Sequence, residues 1–209
     1  MKKFSYYLFD FDGTISDSLE SNIYVFTEAY KFVGTTIKEE DVLGYTREPI
    51  PGVYKRLGCP QEKWRDFVNN INALVRSEKA TNLLKIYDDV YDVIMDLRMA
   101  EATLAIVTSN SGEHVKTVLK KHHLDKLFFD AVVGWELAPI PKPDPSPILK
   151  ALEVLNYEGN KEDVVYVGDA LNDCIAAKAA GVTAVLIDRD NYFPESEDYI
   201  KINSLNELL

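Results

Sequence analysis

Five short apolar runs, each bounded by helical or turn sequence, constrain this chain more than any other feature. They are Tyr6–Phe9, Leu104–Val107, Ala131–Val133, Val164–Val167 and Ala184–Ile187. Most are rich in Val, Ile, Leu or aromatic residues, the pattern of short strands buried on both faces. Helical stretches separate most of them. Strand then helix, repeated, predicts an α/β fold built on a parallel sheet with helices on both faces.

Several helices carry their own boundaries. Asp17 with Glu20 predicts a capping box. Leu19, Ile23, Phe26, Tyr30 and Val33 then share a helical face that Gly34 ends. Ile86, Val90, Val93 and Leu97 form a second apolar face. Asn172–Ala180, closed by Gly181, predicts another helix, and Ser204 with Glu207 a short last one. Residues 17–84 stand apart. They hold helical patterns and the turn signals Pro49, Pro51, Gly52, Gly58 and Pro60, but no strand run, and they interrupt the chain after the first strand. The predicted organisation is an α/β core from residues 1–16 and 85–209, with an all-helical insertion of residues 17–84.

Composition narrows the function classes. Lys and Arg number 23 against 34 Asp and Glu, a net charge of −11. Such a chain repels nucleic-acid phosphates, so DNA or RNA is not an expected partner. A small anion remains admissible where a site is locally cationic. No run of 18 apolar residues exists, so no transmembrane helix and no membrane partner are expected. Asp10 and Asp12 break the first apolar stretch too early for a signal peptide. Cys59 and Cys174 are too few for a disulfide framework and form no Cys-x-x-Cys pair. Reduced thiols in a cytoplasmic protein are the expectation. No interface pattern indicates an oligomeric state.

Open α/β sheets bind ligands beyond the carboxyl ends of their strands, so the residues after each run are the candidates. Asp10-Phe11-Asp12-Gly13-Thr14 follows the first. Residues two apart on a strand share a side, so Asp10 and Asp12 can project to one site while Gly13 permits a tight turn. Two close carboxylates share a proton or need a cation. Thr108-Ser109-Asn110 follows the second run. Its hydroxyls and N–H groups suit a phosphate, or simply cap the helix starting near Gly112. Lys142 lies in Pro141-Lys142-Pro143-Asp144-Pro145, where prolines stiffen the backbone. It is either a surface lysine or a cation that balances carboxylates and grips a phosphoryl oxygen. Gly168-Asp169-Ala170-Leu171-Asn172-Asp173 follows the fourth run and offers hard oxygen ligands suited to Mg²⁺, or helix caps.

Together these ends outweigh their separate readings. Two unit charges 4 Å apart interact by about 1 kcal/mol in water and about 4 kcal/mol at an effective dielectric of 20. Four carboxylates gathered at one sheet edge therefore need cations. Lys142 and a Mg²⁺ ion would supply them and leave a positive hollow fitted to phosphate.

The ordered set resembles the haloacid dehalogenase superfamily, over nearly the whole chain. Lys142-Pro143-Asp144-Pro145-Ser146-Pro147 and Ala176-Ala177-Lys178-Ala179-Ala180-Gly181 are most similar to the phosphoglycolate phosphatase-like branch. The resemblance implies a Rossmann-like core with a C1-type helical cap. It implies Asp10 as the nucleophile that becomes an aspartyl phosphate, and Asp12 as general acid and then base. It implies Thr108 on the phosphoryl oxygens, with Ser109 and Asn110 beside it, and Lys142 balancing the charge. Mg²⁺ would be held by the Asp10 carboxylate, the Asp12 carbonyl, Asp169 and Asp173. Asp12 points to phosphate esters or anhydrides, since dehalogenases lack an acid there. Within the cap, Arg47 of Gly44-Tyr45-Thr46-Arg47-Glu48-Pro49 is the candidate for an anionic substrate. Ser111 stands where many phosphoglycolate phosphatases carry lysine. The expected activity is Mg²⁺-dependent hydrolysis of a small phosphorylated metabolite, of phosphoglycolate type. The alternatives are a phosphosugar mutase like β-phosphoglucomutase, a phosphonate hydrolase, and a non-catalytic binding protein.

Overall fold

The structure is a computed structural model that describes residues 3–46, 48–124 and 128–209. It divides into two compact units, Met1–Ser16 with Ile86–Leu209, and Asp17–Lys85. The chain enters the first unit with β1 (Tyr6–Phe9), passes to the second at β2 (Ser16–Asp17), and returns at β3 (Lys85–Ile86). β2 and β3 form a small sheet of their own.

The second unit is helical, with α1 (Leu19–Phe32), α2 (Val42–Thr46), α3 (Ile50–Arg56), α4 (Trp64–Val75) and α5 (Glu78–Leu83). Its core centres on Tyr30, Tyr54 and Phe67. The Phe67 ring lies 4.9 Å from that of Tyr30 and 4.6 Å from that of Tyr54, within the range in which aromatic pairs attract. Two local expectations are corrected here. Asp17 and Glu20 do not form a capping box. Asp17 belongs to β2, Ser18 is the N-cap but its hydroxyl accepts from Asn22 Nδ2 rather than from a backbone N–H, and the Glu20 carboxylate pairs instead with Lys85 at 2.5 Å. A full cation outcompetes one backbone N–H for that carboxylate. Leu19, expected on the buried face of α1, is 38% exposed, and burial centres on Val25, Phe26, Ala29 and Tyr30.

In the first unit the chain continues through α6 (Val90–Met99), β4 (Thr103–Val107), α7 (Gly112–Lys121), β5 (Ala131–Val133), α8 (Ser146–Val154), β6 (Val164–Gly168), α9 (Leu171–Ala180), β7 (Thr183–Ile187) and β8 (Ile200–Ile202). Ile86, expected on the α6 face, lies in β3, and Tyr87 N–H donates to the Ile15 carbonyl at 3.2 Å. The sheet order is β5-β4-β1-β6-β7-β8, with parallel neighbours. Every residue of Leu104–Val107 and Val164–Val167 is fully buried, as strands covered on both faces require.

Register decides where function can sit. Phe9 pairs with Ile106 on one side and Val167 on the other. The three central strands therefore end almost level, and Asp10, Thr108 and Asp169 emerge at one edge. Gly181 closes α9 in the left-handed conformation, φ 79°, the usual glycine stop.

Candidate active site

Asp10 leaves β1 with its N–H on the Val167 carbonyl, 2.8 Å away. The chain then folds back through Gly13, at φ 77°, whose N–H donates to the Ser16 carbonyl at 2.8 Å. A Cβ on Gly13 would stand 2.2 Å from Asp169 Oδ2. Gly13 is thus both the turn and the place where backbone passes against a carboxylate.

Lys142 reaches the same spot. Its Nζ lies 3.0 Å from Asp10 Oδ1, 2.6 Å from Asp173 Oδ1 and 2.8 Å from the Tyr166 hydroxyl. Its side chain is 5% exposed, so it is no surface lysine. Asp173 sits in the first turn of α9, where its other oxygen accepts the Ala170 N–H at 3.1 Å. A negative group is favoured there by the helix dipole. Carboxylate oxygens of Asp10, Asp169 and Asp173 all lie within 4.8 Å of one another.

A second arm joins Asp12 to the end of β4. Asn110 Nδ2 donates to Asp12 Oδ2 at 3.4 Å, and Asn110 N–H donates to Thr108 Oγ1 at 3.0 Å. Ser111 caps α7. Its hydroxyl accepts from His114 N–H and lies 2.5 Å from Glu136 Oε1, while Gly112 N–H donates to Glu136 Oε2 at 3.0 Å. The structure thus brings Asp10, Lys142, Asp169 and Asp173 into one cluster, and links Asp12 through Asn110 to Thr108. Ser109 is exposed at the turn. Arg47 lies outside the described residues.

Two further residues belong to this neighbourhood. Tyr166 bears on Lys142, and its signal was a tyrosine inside an otherwise apolar strand run, since a buried hydroxyl must find a partner. Glu136 had no sequence signal, because its partners lie 24 and 25 residues away.

The electrostatics are those of crowded acids. Burial pushes the Asp10 carboxyl up to about 7, Lys142 opposes that rise, and Asp173 and Asp12 add to it. Burial, then Asp173 and Asp10, raise Asp169 well above the ordinary carboxylate range. Burial alone would lower Lys142, but Asp10 and Asp173 hold it well above its ordinary value, so it stays an ammonium ion. Burial, then Asp173, push the Cys174 thiol up to about 12, which makes it a poor nucleophile. One lysine does not neutralise this many acids. The hard oxygen donors and the surplus negative charge fit a divalent cation.

Gly13→Ala tests the close approach. Strain at positive φ and the collision with Asp169 should displace that carboxylate. An activity loss of about a hundredfold is expected, as for an ångström-scale misplacement, with weakened cation binding in a calorimetric titration. Unchanged activity and affinity would refute this role for Gly13.

A parallel sheet, acids at adjacent strand ends and a buried lysine make this cluster the candidate active site, with a charge pattern suited to a phosphoryl group. The chain belongs to the haloacid dehalogenase-like hydrolase family, whose model matches residues 7–187. It is similar to "Putative pyrophosphatase PpaX" of Caldanaerobacter subterraneus subsp. tengcongensis, 36% identical over 86% of this chain and 80% of that protein. "Pyrophosphatase PpaX" of Bacillus velezensis is 33% identical over 86% and 81%. In fold it resembles the crystal structure of a "putative phosphoglycolate phosphatase" from Lactobacillus plantarum, with TM-score 0.86 and 19% identity over 99% of this chain and 98% of that one. The chain is a hydrolase of the phosphatase kind within this family. Among the described residues, no helix is long and apolar enough to cross a membrane.

Proposed function

We propose that this chain is a cytoplasmic, Mg²⁺-dependent phosphatase that hydrolyses a small phosphorylated metabolite through an aspartyl phosphate on Asp10. The observation that carries this reading is the Lys142 ammonium held between Asp10 and Asp173, with Asp169 alongside. A carboxylate oxygen of Asp10 attacks phosphorus. As that bond forms, the bond to the leaving oxygen breaks, and Asp12 gives its proton to that oxygen. Asp12 then takes a proton from water as the water attacks the aspartyl phosphate, which returns Asp10 and releases phosphate. Lys142, Thr108 and the turn of Ser109 and Asn110 hold the phosphoryl oxygens, where negative charge gathers. Asp10, Asp169, Asp173 and the Asp12 carbonyl would hold Mg²⁺. When bound, the ion supplies charge neutralisation at the phosphoryl group. Residues 17–84 serve as the cap that selects the leaving group, with Arg47 as its anion contact.

The resemblance to the phosphoglycolate phosphatase-like branch favours a phosphomonoester. The names of the relatives at 36% and 33% identity favour inorganic pyrophosphate. One assay decides. Phosphate release is followed from pyrophosphate, phosphoglycolate, sugar phosphates and nucleoside monophosphates, with Mg²⁺ and with chelator, beside Asp10→Asn. The expected result is Mg²⁺-dependent release from at least one compound, lost in the variant. A sugar phosphate isomer formed without free phosphate would establish a mutase instead. Absence of both reactions would leave the non-catalytic reading.

A further inference from the structure

The chemistry proposed above has no task for Tyr166, yet this side chain is fully buried on β6 directly against Lys142. Its hydroxyl has neighbours of two kinds. Val107 carbonyl oxygen lies 3.0 Å away and Asp173 Oδ1 3.4 Å away, and both can only accept. Lys142 Nζ lies 2.8 Å away and, as an ammonium ion, can only donate. The direction of every bond is therefore forced. The phenolic hydrogen goes to the nearer acceptor, the Val107 carbonyl, and an oxygen lone pair faces Lys142.

Lys142 has three N–H bonds. Two are directed at Asp10 and Asp173. We propose that Tyr166 is the positioning residue that takes the third, and so fixes the ammonium ion between the nucleophile and the α9 carboxylate. Because Val107 directly precedes Thr108, the same hydroxyl ties the end of β4 to the lysine. Tyr166 touches no reacting atom and acts through Lys142. The kinetic arm of its test rests on the hydrolytic reading above, while a second arm does not.

Tyr166→Phe removes the oxygen and keeps the ring. In the kinetic arm kcat should fall about 10- to 100-fold, the equivalent of one hydrogen bond to a charged group. KM should stay within about twofold, because the lysine matters most where charge develops. In the second arm, protein carrying isotope-labelled lysine is observed by NMR. A buried ammonium ion with three acceptors exchanges its protons slowly, so Lys142 should give a resolved ammonium signal that Lys142→Arg lacks. Tyr166→Phe should shift that signal or broaden it by faster exchange. An unchanged ammonium signal in folded Tyr166→Phe overturns the proposal, as does a rise in KM at constant kcat. Should the wild type hydrolyse no compound, the phosphatase reading falls and the ammonium signal alone decides for Tyr166. Should Tyr166→Phe not fold, fluorotyrosine placed at position 166 keeps the shape and weakens the acceptor. A graded loss of kcat with a shifted ammonium signal then supports the proposal, and no change in either overturns it.

Discussion

Asp10→Asn is expected to lower phosphate release by about a thousandfold or more, as loss of a nucleophile does, and also to stabilise the protein when no divalent cation is present. The two effects have one origin. Burial, with help from Asp173 and Asp12 and against Lys142, lets the Asp10 carboxyl hold its proton up to about pH 7. In the unfolded chain the same group ionises near pH 4. Between those limits the folded state binds more protons than the unfolded one, so stability falls as pH rises through the window. Below about pH 4 both states are protonated and the penalty vanishes. Above about pH 7 it is complete, on the order of a few kcal/mol. Asparagine carries no charge and escapes it. Thermal melts in chelator should therefore show the variant gaining on the wild type from about pH 4 to pH 7, with no gain below. Added Mg²⁺ should narrow the gap, because it binds a folded state that keeps the Asp10 carboxylate. A variant no more stable than wild type above pH 7 in chelator would refute the electrostatic account. A variant that releases phosphate at close to the wild-type rate would refute the nucleophile.

Much of this fold was legible because the core strands are buried on both faces, and continuous apolar runs such as Leu104–Val107 and Val164–Val167 have few other uses. What escaped was held by partners distant in sequence. β8 contains a lysine between two isoleucines, and Ile200 is 42% exposed, so it shows no run. β2 and β3 are two residues each and exist only through pairing. Glu20 left its expected cap for Lys85, which lies 65 residues away. The site follows the same division. Asp10, Lys142, Asp169 and Asp173 drew notice because the polar chemistry after each strand run is unusual in kind. Tyr166 read as core because its ring is core. Ser111, met as a departure from a lysine, is engaged with Glu136, a contact no local pattern encodes.

Lys142→Met should be the most disruptive single change at the site, and the reason is what it leaves behind. Methionine fills the volume of the lysine stem but removes the only cation described within ion-pair distance of both Asp10 and Asp173. Those carboxylates are 14% and 2% exposed, so water does little to replace it. Breaking a buried ion pair from one side typically destabilises by about 3–5 kcal/mol. A urea melt in chelator should show a loss of that size above pH 7. The loss should shrink at lower pH, where Asp10 becomes protonated. Activity should fall by about a hundredfold or more, since a preorganised charge on the phosphoryl oxygens is gone. Asp10→Asn added to Lys142→Met should restore part of the stability and none of the activity, because it discharges one of the two stranded acids. Equal losses in the single and double variants would mean that Lys142 matters for packing rather than charge. Mg²⁺ separates the two cations further. An ion held by Asp10, Asp169 and Asp173 should recover stability in Lys142→Met at pH 7 without recovering the full rate, because it cannot also stand where the ammonium meets the phosphoryl group.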